Sequence, residues 1–459
     1  MGVSGLAEFW ATKANRTASA ALRPDLWPEV ATGVDDRAEA LEAAVRGRLE
    51  ITAATTATEL ATQLGIDPSS VEYALVGLES QGFAIRGEWG DRPASWACRR
   101  LLARMHVYSQ KGKRARVEAA TAQDYMAFLF EWQHLAPGSQ LSGVDGLTAV
   151  VAQLQGWPAA AAAWEPHLLA GRLTDYRAEV LDRRSLAGDI TWGRLAIAAT
   201  DSARPTASKA TPISLLLRND LDWLVEAARG DGAAEMPDAG CAAELLDELE
   251  QRGARFHHEL VDATGRLVTD VEAGLWELVW RGAVHADSFH ALRSLFDARD
   301  RKSAPRPRRG LRQGTAVRHG GEGRWTRFAS QRIDVERDEL AEAVAEQLLA
   351  RWGVVFHALV ARETLSVPWR EILWALRRLE ARGVIAGGRF VSGFSGEQYA
   401  AHEAAEQLGR IAKTERTGVT VTVSACDPAN LTGVVTPGDR VPARRSLSVT
   451  YVDGVPTET

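Results

Sequence analysis

The sequence predicts a mainly α fold with β, built from a series of similar units and closed by a β-rich terminal module. Three observations carry that reading. One pattern of short helix, turn, longer helix, glycine and β-run occurs at 58–89, 257–289 and 356–391. The long helices of the three copies stay in register through their apolar residues. After residue 418 the helical period gives way to short alternating runs between Gly, Pro and Asp turns.

The register is specific. Val71, Leu75, Leu78 and Gly82 correspond to Val271, Leu275, Leu278 and Gly282, and to Ile372, Leu376, Leu379 and Gly383. Steps of four and three place each apolar set on one helical face. The glycine falls just past the last turn, where a left-handed cap is needed. Pro68 and Pro368 sit near helix starts, where a missing N–H costs nothing. A helix precedes each copy, at 38–49, 242–252 and 338–351. Three helices followed by a β-hairpin make a winged-helix unit. The expected architecture is therefore tandem winged-helix domains plus a C-terminal β-barrel or β-rich module.

The expected order is as follows. Residues 1–98 hold the first winged helix. Residues 99–230 hold a helical, degenerate winged-helix region with a basic loop that runs into a strand. Thr121 is its expected helix cap, with Asp124 in the first turn. Residues 231–300 hold the next winged helix. Residues 301–324, rich in Arg, Pro and Gly, form a basic flexible linker that buries too little apolar surface to fold alone. Residues 325–396 hold the last winged helix, and 397–459 a helix and the β-barrel module. Within "GGRFVSGFSGEQYA", Gly387–Gly388 are the expected turn of the wing and Arg389–Ser392 its return strand. Phe394 and Tyr399 are expected to pack that wing on the terminal module.

Composition narrows the class. The net charge of −6 argues against a polybasic coat, while leaving room for a local basic face. Cys98, Cys241 and Cys426 are far apart and form no CxxC, so neither a metal site nor a disulfide framework is expected. A reducing cytoplasm is the expected compartment. No apolar run approaches the roughly 18 residues of a membrane span, and no signal peptide is read at the start.

Four stretches resemble the C-terminal region of the large helicase-related (Lhr) proteins, bacterial superfamily-2 helicases of DNA repair. They are "LLARMHVYSQKGKRARVEAATAQDYMAFLFEWQHLAPG", "LAGDITWGRL", "GRFVSGFSGEQYA" and "ACDPANLTGVVTPGDRVPA". After "GEQYA" this chain reads "AHEAAEQL", where the family would carry a Leu–Pro pair. The motor is not in the sequence: Gly112–Lys113 lacks the other residues of a GxxxxGK[ST] loop, and there is no DExH box. No cofactor is expected of this piece; ATP and Mg would belong to the absent helicase core. The resemblance implies an architecture like the AlkZ/YcaQ class of DNA glycosylases. It also implies DNA, single-stranded or as a tailed duplex, as partner, together with the helicase core of the same polypeptide and further copies of itself. A bacterial, nucleoid-associated location follows from the same source.

Charge sorts the long helices. The first carries Glu72 and Glu79, the second Asp270, Glu272 and Glu277, and such helices repel phosphates. The third carries Arg370, Trp374, Arg377 and Arg378. Arg offers bidentate contacts to phosphate or guanine, and Trp stacks on unpaired bases. The alternative is a solvated Arg face with Trp packed inward. A second basic cluster, Lys111, Lys113, Arg114 and Arg116, would suit a single strand's backbone, or be a solvated hairpin. Excision of a base would need a carboxylate or amide beside a base-accepting pocket. AlkZ-like enzymes use Gln-x-Gln or Gln-x-Asp, and Gln153-Leu154-Gln155 has that form, although its flanks depart from the motif. Asp427 and Asp453 are further candidates, set in Asp-Pro and Asp-Gly turn contexts. His134 of "EWQHL" reads as a packed histidine. Three functions follow: a nucleic-acid-binding and oligomerising Lhr module, a DNA glycosylase acting on uracil or an alkylated base, or an assembly scaffold.

Overall fold

The computed structural model describes residues 37–88, 94–115, 117–197, 209–230, 236–303, 323–328 and 335–457. The chain divides into two units, Met1–Arg116 and Val117–Thr459. The expected basic linker lies largely outside the described residues.

The first unit is a three-helix core with a hairpin. Helices α1 (Arg37–Leu49), α2 (Ala57–Leu64) and α3 (Pro68–Ser80) lead into antiparallel strands β1 (Ala84–Gly87) and β2 (Ser95–Cys98). Asp67 caps α3 by accepting the Ser70 N–H, and Pro68 occupies its first turn. Val45, Leu60, Val71, Leu75, Leu78 and Trp96 close the core. The next helix, α4, spans Arg99–Ala115. This corrects two expectations. The basic segment is helical up to Ala115 instead of a loop entering a strand, because Gly112 costs only about 1 kcal/mol within a run of good helix formers. The unit therefore ends at 116 and not at 98.

The second unit opens with α5 (Ala122–Trp132), where Thr121 and Asp124 form a reciprocal capping box. Then come α6 (Gly143–Leu154), β3 (Ala159–Ala160), a π-helical turn at Trp164–Leu169 that contains Pro166, α7 (Ala178–Leu186), β4 (Ile190–Gly193), β5 (Pro212–Leu217) and α8 (Leu221–Arg229). The strands order β3-β5-β4, all antiparallel.

The second repeat comprises α9 (Cys241–Arg252), α10 (His257–Thr264), α11 (Val268–Trp280) and β6 (Val284–Ala286), followed by α12 (Phe289–Ser303). Its wing is completed by β7 (Trp325–Arg327), which pairs with β6. Residues 325–327 thus belong to this repeat and not to the one after it, because Trp325 is fully buried against Trp192 in the core. His285 of β6 is buried there too, and burial holds its imidazole down to about 4, hence neutral.

The third repeat runs α13 (Arg337–Trp352), β8 (Val354–Val355), α14 (His357–Val360), α15 (Trp369–Ala381), β9 (Ile385–Gly388) and β10 (Gln398–Ala401), with sheet order β8-β10-β9. Gly387 and Gly388 lie in β9, opposite Tyr399 and Gln398, so the wing's return strand is "QYAA" and not Arg389–Ser392. The segment between is diverted because Ala120 and Phe390 pair through their backbones. Phe394 packs on Phe356 of the same repeat, ring centres 4.5 Å apart. Across the three repeats, Gly82, Gly282 and Gly383 have φ of 71°, 63° and 78°, the left-handed conformation their spacing requires.

Helix α16 (His402–Ile411) leads to β11 (Thr420–Ser424), β12 (Ser448–Val452) and β13 (Val455–Pro456). These make an open three-stranded antiparallel sheet, and no closed barrel occurs among the described residues. Loop 425–447 buries Ala429 and Leu431 instead of adding strands. No helix of the described residues is long and apolar enough to cross a membrane.

Candidate functional site

Helix α15 was the expected nucleic-acid face, and the structure divides its arginines. Arg377 is held by Glu397 through two hydrogen bonds of 3.0 Å. Arg378 reaches Asp338 and Glu342 of α13. Both are spent on acids that the sequence places 20 to 40 residues away. Arg370 differs. It has no ion pair among the described residues, and its guanidinium lies 4.4 Å over the Trp374 ring. Both residues are exposed, Trp374 at 42%. A cation and a π-face are thus presented together on one turn of helix.

The second cluster does not form a loop. Lys111, Lys113 and Arg114 lie on α4, and Arg116 is outside the described residues.

Asp427 is sealed. Arg172 clasps it in a bidentate pair at 2.7 and 2.8 Å, and both side chains are about 1% exposed or less. Arg172 also donates to Gln133 Oε1, whose amide donates to the Arg351 carbonyl. A carboxylate so enclosed holds the terminal module to the domain beneath it and meets no solute. Asp453 has a left-handed backbone, φ 48°, and its carboxylate accepts the N–H groups of Gly418 and Val419 at 2.9 and 2.8 Å. It closes the start of β11, which is turn chemistry.

Gln153 and Gln155 do come together with other polar groups. They line a groove of about 710 Å³ between α6, the start of α8 and α13, with Trp132, His134, Asp220, Trp223 and Gln347. Gln155 is buried and fully engaged. Its amide donates to Asp220 Oδ2 and Gln347 Oε1, both at 2.9 Å, and its oxygen accepts the Leu217 N–H. Trp223 Nε1 donates to the other Asp220 oxygen at 3.0 Å. Behind the groove, the buried Arg351 donates to the Gln155 carbonyl and pairs with Glu363. Gln153 donates to the carbonyls of Trp132 and Ala350, while its buried Oε1 has no partner among the described residues. An orphaned buried acceptor costs roughly 1–3 kcal/mol and calls for an explanation.

His134 borders the same groove in a left-handed conformation, φ 59°. A non-glycine residue there carries strain on the order of 1 kcal/mol or more. Its Nδ1 meets the Ser139 carbonyl at 3.0 Å. Burial lowers its pKa from the ordinary value and the Arg172 charge adds to that, against the opposing Ser139 bond. Asp220, Trp223 and Gln347 carried no signal in the sequence: they are 65 and 192 residues from Gln155 in the pairs that matter, and no spacing rule links them.

Two family models match this chain, both described as large helicase-related protein, winged-helix domain, over residues 120–218 and 334–420. The chain is 26% identical to the "Lhr helicase/ probable uracil glycosylase" of Mycolicibacterium smegmatis, over 82% of this chain and 25% of that protein. It is 26% identical to the "Lhr helicase/uracil glycosylase" of Escherichia coli, over 88% of this chain and 28% of that protein. It therefore spans about a quarter of the length of these curated relatives. Among solved structures, the Streptomyces sahachiroi DNA glycosylase AlkZ is similar over 74% of this chain and 87% of that one, with TM-score 0.42 and 17% identity.

Proposed function

We propose, from the premise that this chain belongs to the large helicase-related protein family, that it is a DNA-binding module of such a protein. The observation that carries this is the exposed Arg370–Trp374 pair on α15. Base stacking on an aromatic ring is worth about 1–3 kcal/mol, and an unpaired guanidinium adds a phosphate contact. Trp374→Ala is expected to weaken binding of a labelled single strand about 5- to 150-fold, read by fluorescence anisotropy at low salt. Arg370→Glu is expected to weaken it further and to flatten its salt dependence. Arg377→Ala, whose partner is Glu397, is expected to change little. Unaltered affinity in both the Arg370 and Trp374 variants would refute this face. Self-assembly, which the family resemblance suggests, is tested by light scattering at high micromolar concentration.

A second reading, base excision, is favoured by the groove. It gathers three glutamines, two carboxylates and two indoles, and leaves Gln153 Oε1 without a donor among the described residues. Indoles suit an unstacked base, and amides and carboxylates suit its polar edge or an attacking water. Relatives named as uracil glycosylases make deoxyuridine the first substrate to try. With an oligonucleotide carrying one deoxyuridine, alkali should reveal strand cleavage after incubation with the protein. Gln153→Ala, which removes the amide oxygen that lacks a donor among the described residues, should lower the excision rate by about two orders of magnitude, the scale of losing one preorganised polar group. No cleavage by the unmodified protein, over uracil and alkylated bases alike, would retire this reading.

A further inference from the structure

His134 stands at the rim of the groove as the left-handed residue that caps a helix: the Leu135 N–H donates to the Phe130 carbonyl and the His134 N–H to the Glu131 carbonyl. Helix α5 ends at Trp132, and the chain turns so sharply that His134 adopts φ 59°. That turn brings Nδ1 to the Ser139 carbonyl at 3.0 Å. A carbonyl only accepts, so the ring proton is on Nδ1, and Nε2 of the neutral ring carries the lone pair. The neighbouring Gln153 amide is bonded to the Trp132 carbonyl, two residues before His134. The fold thus fixes ring tautomer, backbone and adjacent amide together.

We propose that His134 is the general base of this groove. The proposal rests on the base-excision reading. In that reaction water attacks C1′ of the nucleotide and its oxygen bonds to that carbon. The C1′–N bond breaks and its electron pair leaves with the base. The proton lost by the water goes to His134 Nε2 and then to solvent, and the departing base anion takes a proton from solvent. The products are free base and an abasic sugar. The charged groups around the ring are Asp220 and Glu346 across the groove and Arg172 behind it. Arg172 and burial both favour the neutral imidazole that a base must be.

Two variants test this. Asn tolerates a left-handed backbone, and its amide nitrogen can replace Nδ1 as donor to Ser139, while nothing replaces Nε2. His134→Asn is expected to slow single-turnover excision of uracil about 100-fold or more and to abolish the acid limb of the pH–rate profile, with DNA affinity unchanged. His134→Gly relieves the backbone and opens space for a free ring, so added imidazole is expected to restore part of its activity. A rate and acid limb in His134→Asn equal to those of the unmodified protein would overturn the assignment. Should His134→Asn not fold, absence of imidazole rescue in His134→Gly would overturn it instead. The two levels separate cleanly: no excision by the unmodified protein removes the base-excision reading, whereas excision that survives in both variants removes only His134.

Discussion

Replacing Asp427 by Ala is expected to destabilise the second unit by about 3–5 kcal/mol, the cost of leaving a buried charge without its partner. Arg172 would keep its guanidinium in a site where it is fully buried. Its remaining acceptors, the Leu168 carbonyl and Gln133 Oε1, are neutral. Urea unfolding followed by Trp fluorescence should show the midpoint fall. Arg172→Met combined with Asp427→Leu should recover part of the loss, since no charge is then stranded. Recovery stays partial because Gln133 Oε1 and Leu168 O lose their donor. An unchanged midpoint in Asp427→Ala would mean that the ion pair does not hold the terminal sheet.

Glu363→Ala is expected to act on the groove from behind at a similar cost, about 3–5 kcal/mol. Glu363 pairs with the buried Arg351 and also accepts the Trp352 indole N–H at 2.7 Å. Arg351 in turn fixes the Gln155 carbonyl, and it lies 5.7 Å over the Trp157 ring. Losing Glu363 strands that charge and frees the end of α6. Hydrogen exchange should rise at residues 152–157 and 350–356. Glu363→Gln keeps an acceptor for Trp352 and should cost less than Ala. Equal losses would show that the indole bond and the charge are not separable contributions, and no rise in exchange near Gln155 would break the link between this pair and the groove.

Much of the helical scaffold was legible. Apolar steps of four and three, with a glycine after the last turn, placed the long helices that are observed at Pro68–Ser80, Val268–Trp280 and Trp369–Ala381. Such signals are local: each helix's buried face is written in its own 13 residues. The wings were less legible, because a strand is specified by its partner. Trp325 joins Ala286 across about 40 residues, and Gly387, a turn residue by sequence, pairs with Tyr399. The same limit applied to the basic helix. Arg377 and Arg378 look available in sequence, and only the fold brings Glu397, Asp338 and Glu342 beside them.

The candidate sites divide along the same line. Residue type alone pointed to Gln153 and Gln155, and helical spacing put Trp374 one turn from Arg370. That Asp427 is a buried strut, that Asp453 closes a strand, and that Asp220, His134 and Gln347 meet the glutamines were decided by tertiary structure. The sequence by itself determined the repeated winged-helix scaffold, since periodicity and capping act within one turn to a few turns of chain. Which charges are spent on one another and which remain for a ligand depends on atoms within about 3 Å that lie tens to hundreds of residues apart, and no local pattern encodes that pairing.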